Sequence, residues 1–187
     1  MNTFFKSVIK TSDNYKAVFG YRNYQFVTDC ARVHAMQCSF NYGDEISIVE
    51  GKTDRTLSES IKDFLAFEIS HSNSAFFRLD KNEIKILSNF LKSIEKVPDG
   101  INIHVMLEKI YFSYKGSRFY FSFLPFHCEN FGNEIQFKIN PSFLLDLIKN
   151  DSAWYFTMHN KVLYFKNSDG TKKAVLCPLS AEHYDCD

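Results

Sequence analysis

One order of elements, strand–helix–strand–strand–strand, occurs twice in this chain of 187 residues. The later copy is the clearer. From Glu134 to Asn140, Ile135, Phe137 and Ile139 alternate with Gln136 and Lys138, the period-two pattern of a strand with one buried face. Pro141-Ser142 then opens a short helix over Phe143 to Lys149, because proline suits the first helical turn. Strands follow at Trp154 to His159, Lys161 to Lys166 and Lys172 to Leu179, with a turn at Ser168-Asp169-Gly170. In the earlier copy Ala75 to Leu79 reads as a strand, and Asp80 stands where it can cap a helix from Lys81 to about Lys96. Ile84, Leu87, Leu91 and Ile94 recur in that helix at steps of three and four, which gives one buried face. Pro98-Asp99-Gly100 breaks the chain. Strands follow at Ile101 to Leu107, Ile110 to Tyr114 and Arg118 to Leu124, the last two joined through Lys115-Gly116-Ser117. Repeated units of this kind bury their apolar faces against each other, so the repeat governs the whole fold.

The N-terminal part is a looser third copy. Thr3 to Lys10 reads as a helix, and Lys16 to Gly20, Tyr24 to Thr28 and Val33 to Phe40 as strands. Residues 41–74 fit the repeat poorly. Glu45 to Val49 alternates like a strand, and Thr56-x-x-Glu59 resembles a capping box ahead of Ile61, Phe64 and Leu65. The 20 Phe and 10 Tyr favour sheet, since aromatic side chains pack well on a pleated surface. The expected fold is therefore α+β.

Four segments resemble the bacterial sliding clamp family, the beta subunit of DNA polymerase III. The family's A-T-D-G-H-R-L-A signature is matched by Val27-Thr28-Asp29-Cys30-Ala31-Arg32-Val33-His34, with Cys30 and Ala31 replacing Gly and His. Arg118-Phe119-Tyr120-Phe121-Ser122-Phe123-Leu124-Pro125 is similar to the family's S-R-F-x-L-S-x-L-P strand. Asn140 to Ile148 resembles the helix of its last half-unit. Ala174-Val175-Leu176-Cys177-Pro178-Leu179 resembles its closing strand, which usually ends V-M-P-M. The resemblance implies a DNA-clamp-like fold of β-α-β-β-β half-units, with helices on one side of a curved antiparallel sheet. It implies a clamp-like domain over 1–126, holding two half-units and an insertion at about 41–74, and an additional half-unit over 127–187. A full clamp subunit carries about twice as many half-units as this chain, so a ring would need a homo-oligomer.

The resemblance also implies a function: a processivity factor in DNA replication or repair, not an enzyme. Clamp helices face duplex DNA with lysines. Here Lys81, Lys85, Lys92 and Lys96 fall within about 60° of one another at about 100° per residue, and Lys6 and Lys10 repeat the four-residue spacing. Contacts of this kind go to phosphates, ignore sequence and weaken with salt. An equally open reading is a solvated helix face. The family's peptide cleft, where polymerase and clamp-loader peptides dock, maps by motif onto Thr28, Arg32 and Val33 on one side and Cys177, Pro178 and Leu179 on the other. The alternative is that Val33 and Leu179 are core and Arg32 is a plain surface residue. A second function class keeps the cleft without the ring: a partner-binding module that regulates replication proteins.

Composition closes other routes. Lys plus Arg and Asp plus Glu each number 22, so any attraction to DNA is local. No apolar run approaches the roughly 18 residues of a membrane span, and Met1 to Lys6 lacks a signal-peptide pattern. Five cysteines without C-x-x-C spacing fit reduced thiols in a cytoplasmic protein. His127-Cys128 and His183-x-x-Cys186 lack a second ligand pair at zinc spacing. No nucleophile elbow, P-loop or dinucleotide fingerprint occurs. No catalytic residue, metal or cofactor is expected.

Overall fold

A computed structural model of the chain describes residues 2–68, 76–94, 100–106, 109–114, 117–122, 135–159 and 162–179. Lys96, His127, Cys128, the Phe123–Pro125 end of one family-like strand and the tail from residue 180 lie outside them. The chain begins with helix α1 (Thr3–Thr11) and strands β1 (Ala17–Tyr21), β2 (Tyr24–Thr28) and β3 (Arg32–Gln37). Strand β4 (Ser47–Gly51) and helix α2 (Ser60–Ala66) follow. The first full repeat is β5 (Phe76–Leu79), α3 (Lys81–Ser93), β6 (Ile101–Met106), β7 (Lys109–Tyr114) and β8 (Ser117–Ser122). The second is β9 (Ile135–Ile139), α4 (Pro141–Ile148), β10 (Trp154–His159), β11 (Val162–Asn167) and β12 (Lys172–Leu176). Both expected copies of the order are present.

The strands form two antiparallel sheets, β4-β1-β2-β3-β12-β11-β10-β5 and β8-β7-β6-β9. The two full repeats exchange their first strands. β5 leaves its own repeat to pair with β10, Leu79 opposite Trp154. β9 pairs with β6, Ile139 opposite Ile101. The expected boundary at 126/127 therefore runs between elements that the exchange ties together. The first half-unit joins them through β3 and β12, Val33 opposite Val175. Its outer edge is filled from its own continuation, since β4 pairs with β1.

Alternation sends successive strand residues to opposite faces, and the core divides accordingly. One face carries the three repeat helices. Phe4, Phe5 and Val8 of α1, Ile84, Leu87 and Leu91 of α3, and Leu144, Leu147 and Ile148 of α4 bury themselves there against Leu79, Ile103, Trp154 and Leu176. α4 packs against both α1 and α3. Helix α3 starts where Asp80 predicts. The Asp80 carboxylate accepts the backbone N–H groups of Asn82 and Glu83, and Glu83 returns a bond to the Asp80 N–H at 2.7 Å, a complete capping box.

The other face of the large sheet is covered by α2, whose Ile61 and Leu65 meet Phe19, Val33, Tyr164 and Val175. The expected Thr56/Glu59 capping box does not form: Glu59 is itself the residue before the helix, and its side chain makes no capping bond. The Lys173 ammonium instead fixes the far end of α2. It donates to the carbonyls of Leu65 and Phe67 at 3.2 and 3.3 Å and pairs with Glu68, a cation where the helix presents free carbonyls.

The last strand is shorter than its apolar run. β12 stops at Leu176 because Pro178 has no N–H to give, and the Leu179 N–H turns to the Lys138 carbonyl of the other sheet at 2.9 Å. Gly100, at φ +74°, makes room for this: a Cβ there would stand 2.6 Å from a Leu179 methyl.

Candidate functional site

A cleft of about 300 Å³ opens on the α2 face, over the seam between β3 and β12. Strand register explains who lines it. Thr28 stands opposite Val33, Val33 opposite Val175, and Cys177 follows Val175 by two, so all four point to one face. Thr28 and Val33 are buried at the floor. Cys30, Cys177 and Tyr15 stand at one side, and Leu57, Ile61 and Phe64 form the opposite wall. Segments more than a hundred positions apart in sequence thus converge on one apolar hollow with a few polar atoms, the usual form of a ligand or peptide site. Phe64 meets Tyr164 edge-on with ring centres 6.1 Å apart.

Three of the six sequence candidates, Thr28, Val33 and Cys177, present their side chains to this cleft. Arg32 also borders it, but its side chain faces the other way, as its neighbour Val33 requires. The guanidinium is sealed among the repeat helices with no exposure. Its Nε donates to Asp29 at 3.0 Å, one terminal nitrogen to Asp146 of α4 at 3.1 Å, and the other to the Ser7 carbonyl at 3.3 Å and the Thr11 hydroxyl at 2.5 Å of α1. The Phe143 ring lies 4.0 Å from the guanidinium carbon. The expected arginine rim is therefore a buried tie between α1, β3 and α4. Pro178 and Leu179 also leave the cleft, since Leu179 packs by Gly100 instead. Tyr15, Leu57, Ile61 and Phe64 were not among the candidates. The apolar spacing of Ile61, Phe64 and Leu65 was the one signal for the helix that supplies half the wall.

The turn beneath the cleft is built from the matched motif. Thr28 Oγ1 accepts the Cys30 N–H at 3.1 Å and donates to the Arg32 carbonyl at 2.9 Å. Asp29 accepts the N–H groups of Ala31 and Arg32 at 3.2 and 3.0 Å. These bonds hold Cys30 at φ +69°, a left-handed conformation that suits the glycine of the resembled motif and strains a side chain. Cys30→Gly is expected to raise stability by about 1 kcal/mol, the cost of a Cβ in this region less the extra freedom of an unfolded glycine. Urea unfolding of the two proteins decides it, and a loss of stability would contradict the strain.

On the helix face, Lys6 and Lys10 of α1 and Lys81, Lys85 and Lys92 of α3 are all exposed. Among the described residues none of the five forms an ion pair. Between them α4 carries Asp146, whose charge is met by Arg32 and by Lys149 at 2.5 Å. The acidic residue on the central helix is thus offset from both sides. Among the described residues no group of three or more His, Cys, Asp or Glu is placed to hold a metal ion, and no helix is long and apolar enough to cross a membrane.

No protein family description matches the sequence, and no curated protein is similar to it. Solved structures are. The sliding clamp of Bartonella birtlesii, bound to griselimycin, superposes with a TM-score of 0.66 at 8% identity, over 96% of this chain and 63% of that one. The beta sliding clamp of Caulobacter crescentus gives 0.66 at 12%, over 96% and 62%. The beta clamp of Helicobacter pylori, bound to a DNA ligase peptide, gives 0.62 at 10%, over 95% and 62%. The chain spans about three fifths of the length of these clamps, and it has their fold.

Proposed function

We propose that this chain is a clamp-like accessory protein of DNA replication or repair. It captures an apolar-anchored peptide of a polymerase or clamp loader in the cleft, holds duplex DNA loosely through helix lysines, and catalyses no reaction. The observation that carries this reading is the cleft, where the matched Thr28–Val33 motif and Cys177 meet Leu57, Ile61 and Phe64. An exposed apolar hollow walled by a short helix suits a peptide with Leu or Phe anchors. Calorimetric titration with such a peptide tests it. The chain should bind, and Phe64→Ala should weaken binding by about 1–3 kcal/mol, the usual scale for an anchoring contact. Absence of binding by the unaltered chain would remove the cleft function.

The DNA surface has its own test. Lys81, Lys85 and Lys92 changed together to Glu should abolish retention of duplex DNA at low salt. In the unaltered protein these three contacts should contribute about 2–3 units to the slope of log K against log salt. Equal retention by both proteins would make this face merely solvated. Lys6 and Lys10 are proposed to extend the same surface.

A second reading, a partner-binding module without a ring, is favoured by one observation. The first half-unit fills its own sheet edge with β4 and leaves β1 no vacancy for a strand from another half-unit. We take the strand-exchanged pair from β5 to β12 as the complete clamp-like domain and the segment through α2 as the attached half-unit. Mass in solution separates the readings: a closed oligomer supports the ring, a monomer the module.

A further inference from the structure

We propose that Cys30 and Cys177 form a thiol pair that accepts an intramolecular disulfide and that this crosslink closes the cleft. The inference rests on the cleft reading for its consequence but not for its chemistry. Both cysteines line the same hollow. The Cys177 sulfur lies 4.0 Å from the Cys30 carbonyl oxygen. The Cys177 N–H donates to the carbonyl of Ala31, the residue after Cys30, at 2.8 Å, so Cys177 stands opposite Ala31 and Cys30 is its diagonal neighbour at the end of the β3–β12 seam. A disulfide spans Cα atoms about 4.4–6.8 Å apart, a reach that suits such a diagonal pair.

Three further observations give the pair its chemistry. Cys30 is exposed and Cys177 half-buried, which sets the order of attack. Burial pushes the Cys177 thiol up, as suits a resolving rather than an attacking sulfur. Cys30 also occupies a left-handed position where glycine would sit without strain.

The oxidant is a low-molecular-weight disulfide of the glutathione class. The Cys30 thiolate attacks one of its sulfurs, forming a mixed disulfide and expelling one thiolate. The Cys177 thiolate then attacks the Cys30 sulfur, forming the intramolecular bond and expelling the second. The two protons lost by the cysteines pass to the two leaving thiolates, so one disulfide is reduced to two thiols as the pair is oxidised. An S–S bond of about 2 Å locks the two sulfurs together on the side of the cleft opposite Leu57 and Phe64, so that neither thiol can move aside for an entering anchor.

The full chain is incubated with oxidised glutathione, and the cysteine peptides are mapped by mass spectrometry without reduction. The expected product is a Cys30–Cys177 crosslink. Cys177→Ser should leave glutathione attached at Cys30, Cys30→Gly should abolish the crosslink with the fold retained, and Cys38→Ser should change nothing. A stable glutathione adduct on Cys30 of the unaltered chain, no reaction, or Cys30 paired with another cysteine overturns the proposal. Binding of the apolar-anchored peptide is then compared before and after oxidation, with a loss of about tenfold or more expected. A crosslink that leaves affinity unchanged overturns the closing role. If the reduced chain binds no peptide at all, the cleft function fails, while the mapping still decides the disulfide by itself.

Discussion

Arg32→Met is expected to destabilise the protein by about 3–5 kcal/mol, the cost of removing one partner from a buried ionic cluster. The guanidinium is sealed from solvent, and the Asp29 and Asp146 carboxylates that meet it are only 9% and 19% exposed. Methionine approximates its volume but leaves Asp29 without its cation, Asp146 with Lys149 alone, and the Thr11 hydroxyl without its donor. Arg32→Lys should recover only part of the loss, because an ammonium cannot reproduce the fork that reaches α1, the Asp29 turn and α4 together. Urea unfolding followed through the fluorescence of Trp154, the one tryptophan and fully buried, gives the measurement. A change within about 0.5 kcal/mol, typical of an exposed position, would return Arg32 to the rim of the cleft.

The second large effect is acid lability centred on His34. This ring is buried under α1, stacked on Phe4 with centroids 4.6 Å apart, and its Nδ1 lies 2.9 Å from the Phe4 carbonyl. Burial lowers its pKa from 6.5 to about 4, and the bond to the Phe4 carbonyl opposes this only in part. Arg32 and Lys149 add to the depression, while Asp146 counters it. The unfolded chain therefore takes up a proton near pH 6.5 that the folded chain refuses until about pH 4. Stability is full above the unfolded pKa and falls as pH drops through that window, by about 3 kcal/mol in all. Unfolding curves collected from pH 7 to pH 4 should show this slope, and His34→Leu should flatten it even if its stability at pH 7 is lower. Parallel pH profiles for the two proteins would contradict the assignment.

Some of this was legible in the sequence for definite reasons. The expected bounds Tyr24 to Thr28 and Trp154 to His159 agree with β2 and β10, both short runs rich in aromatic and β-branched residues. α3 was read from Asp80 onward because a capping box is a local device. Other features were set at a distance. Nothing in Phe76 to Leu79 says that it pairs with Trp154 rather than with its own repeat, and nothing in Ile135 to Ile139 says that it joins Ile101. α2 lies on the opposite face from the other helices because Val33, Tyr164 and Val175 offer a second apolar surface, which appears only once the strands are in register. The candidate site shows a different gap. Motif matching placed Thr28, Arg32 and Val33 together, yet strand alternation forbids Arg32 and Val33 from sharing a face. The same matching groups Pro178 and Leu179 with Cys177, yet the strand ends at Leu176 ahead of the proline and the chain turns to the other sheet.

Hydrogen–deuterium exchange of the full chain, with and without a saturating Leu- or Phe-anchored clamp-binding peptide, tests the central claim most directly. The account predicts slower exchange confined to the Thr28–Val33 turn, the Leu57–Phe64 wall and the Val175–Cys177 end of β12, with the exposed faces of α3 and β4 unchanged. Exchange that is unaltered at these three segments, or protection that appears elsewhere in the chain, would contradict it.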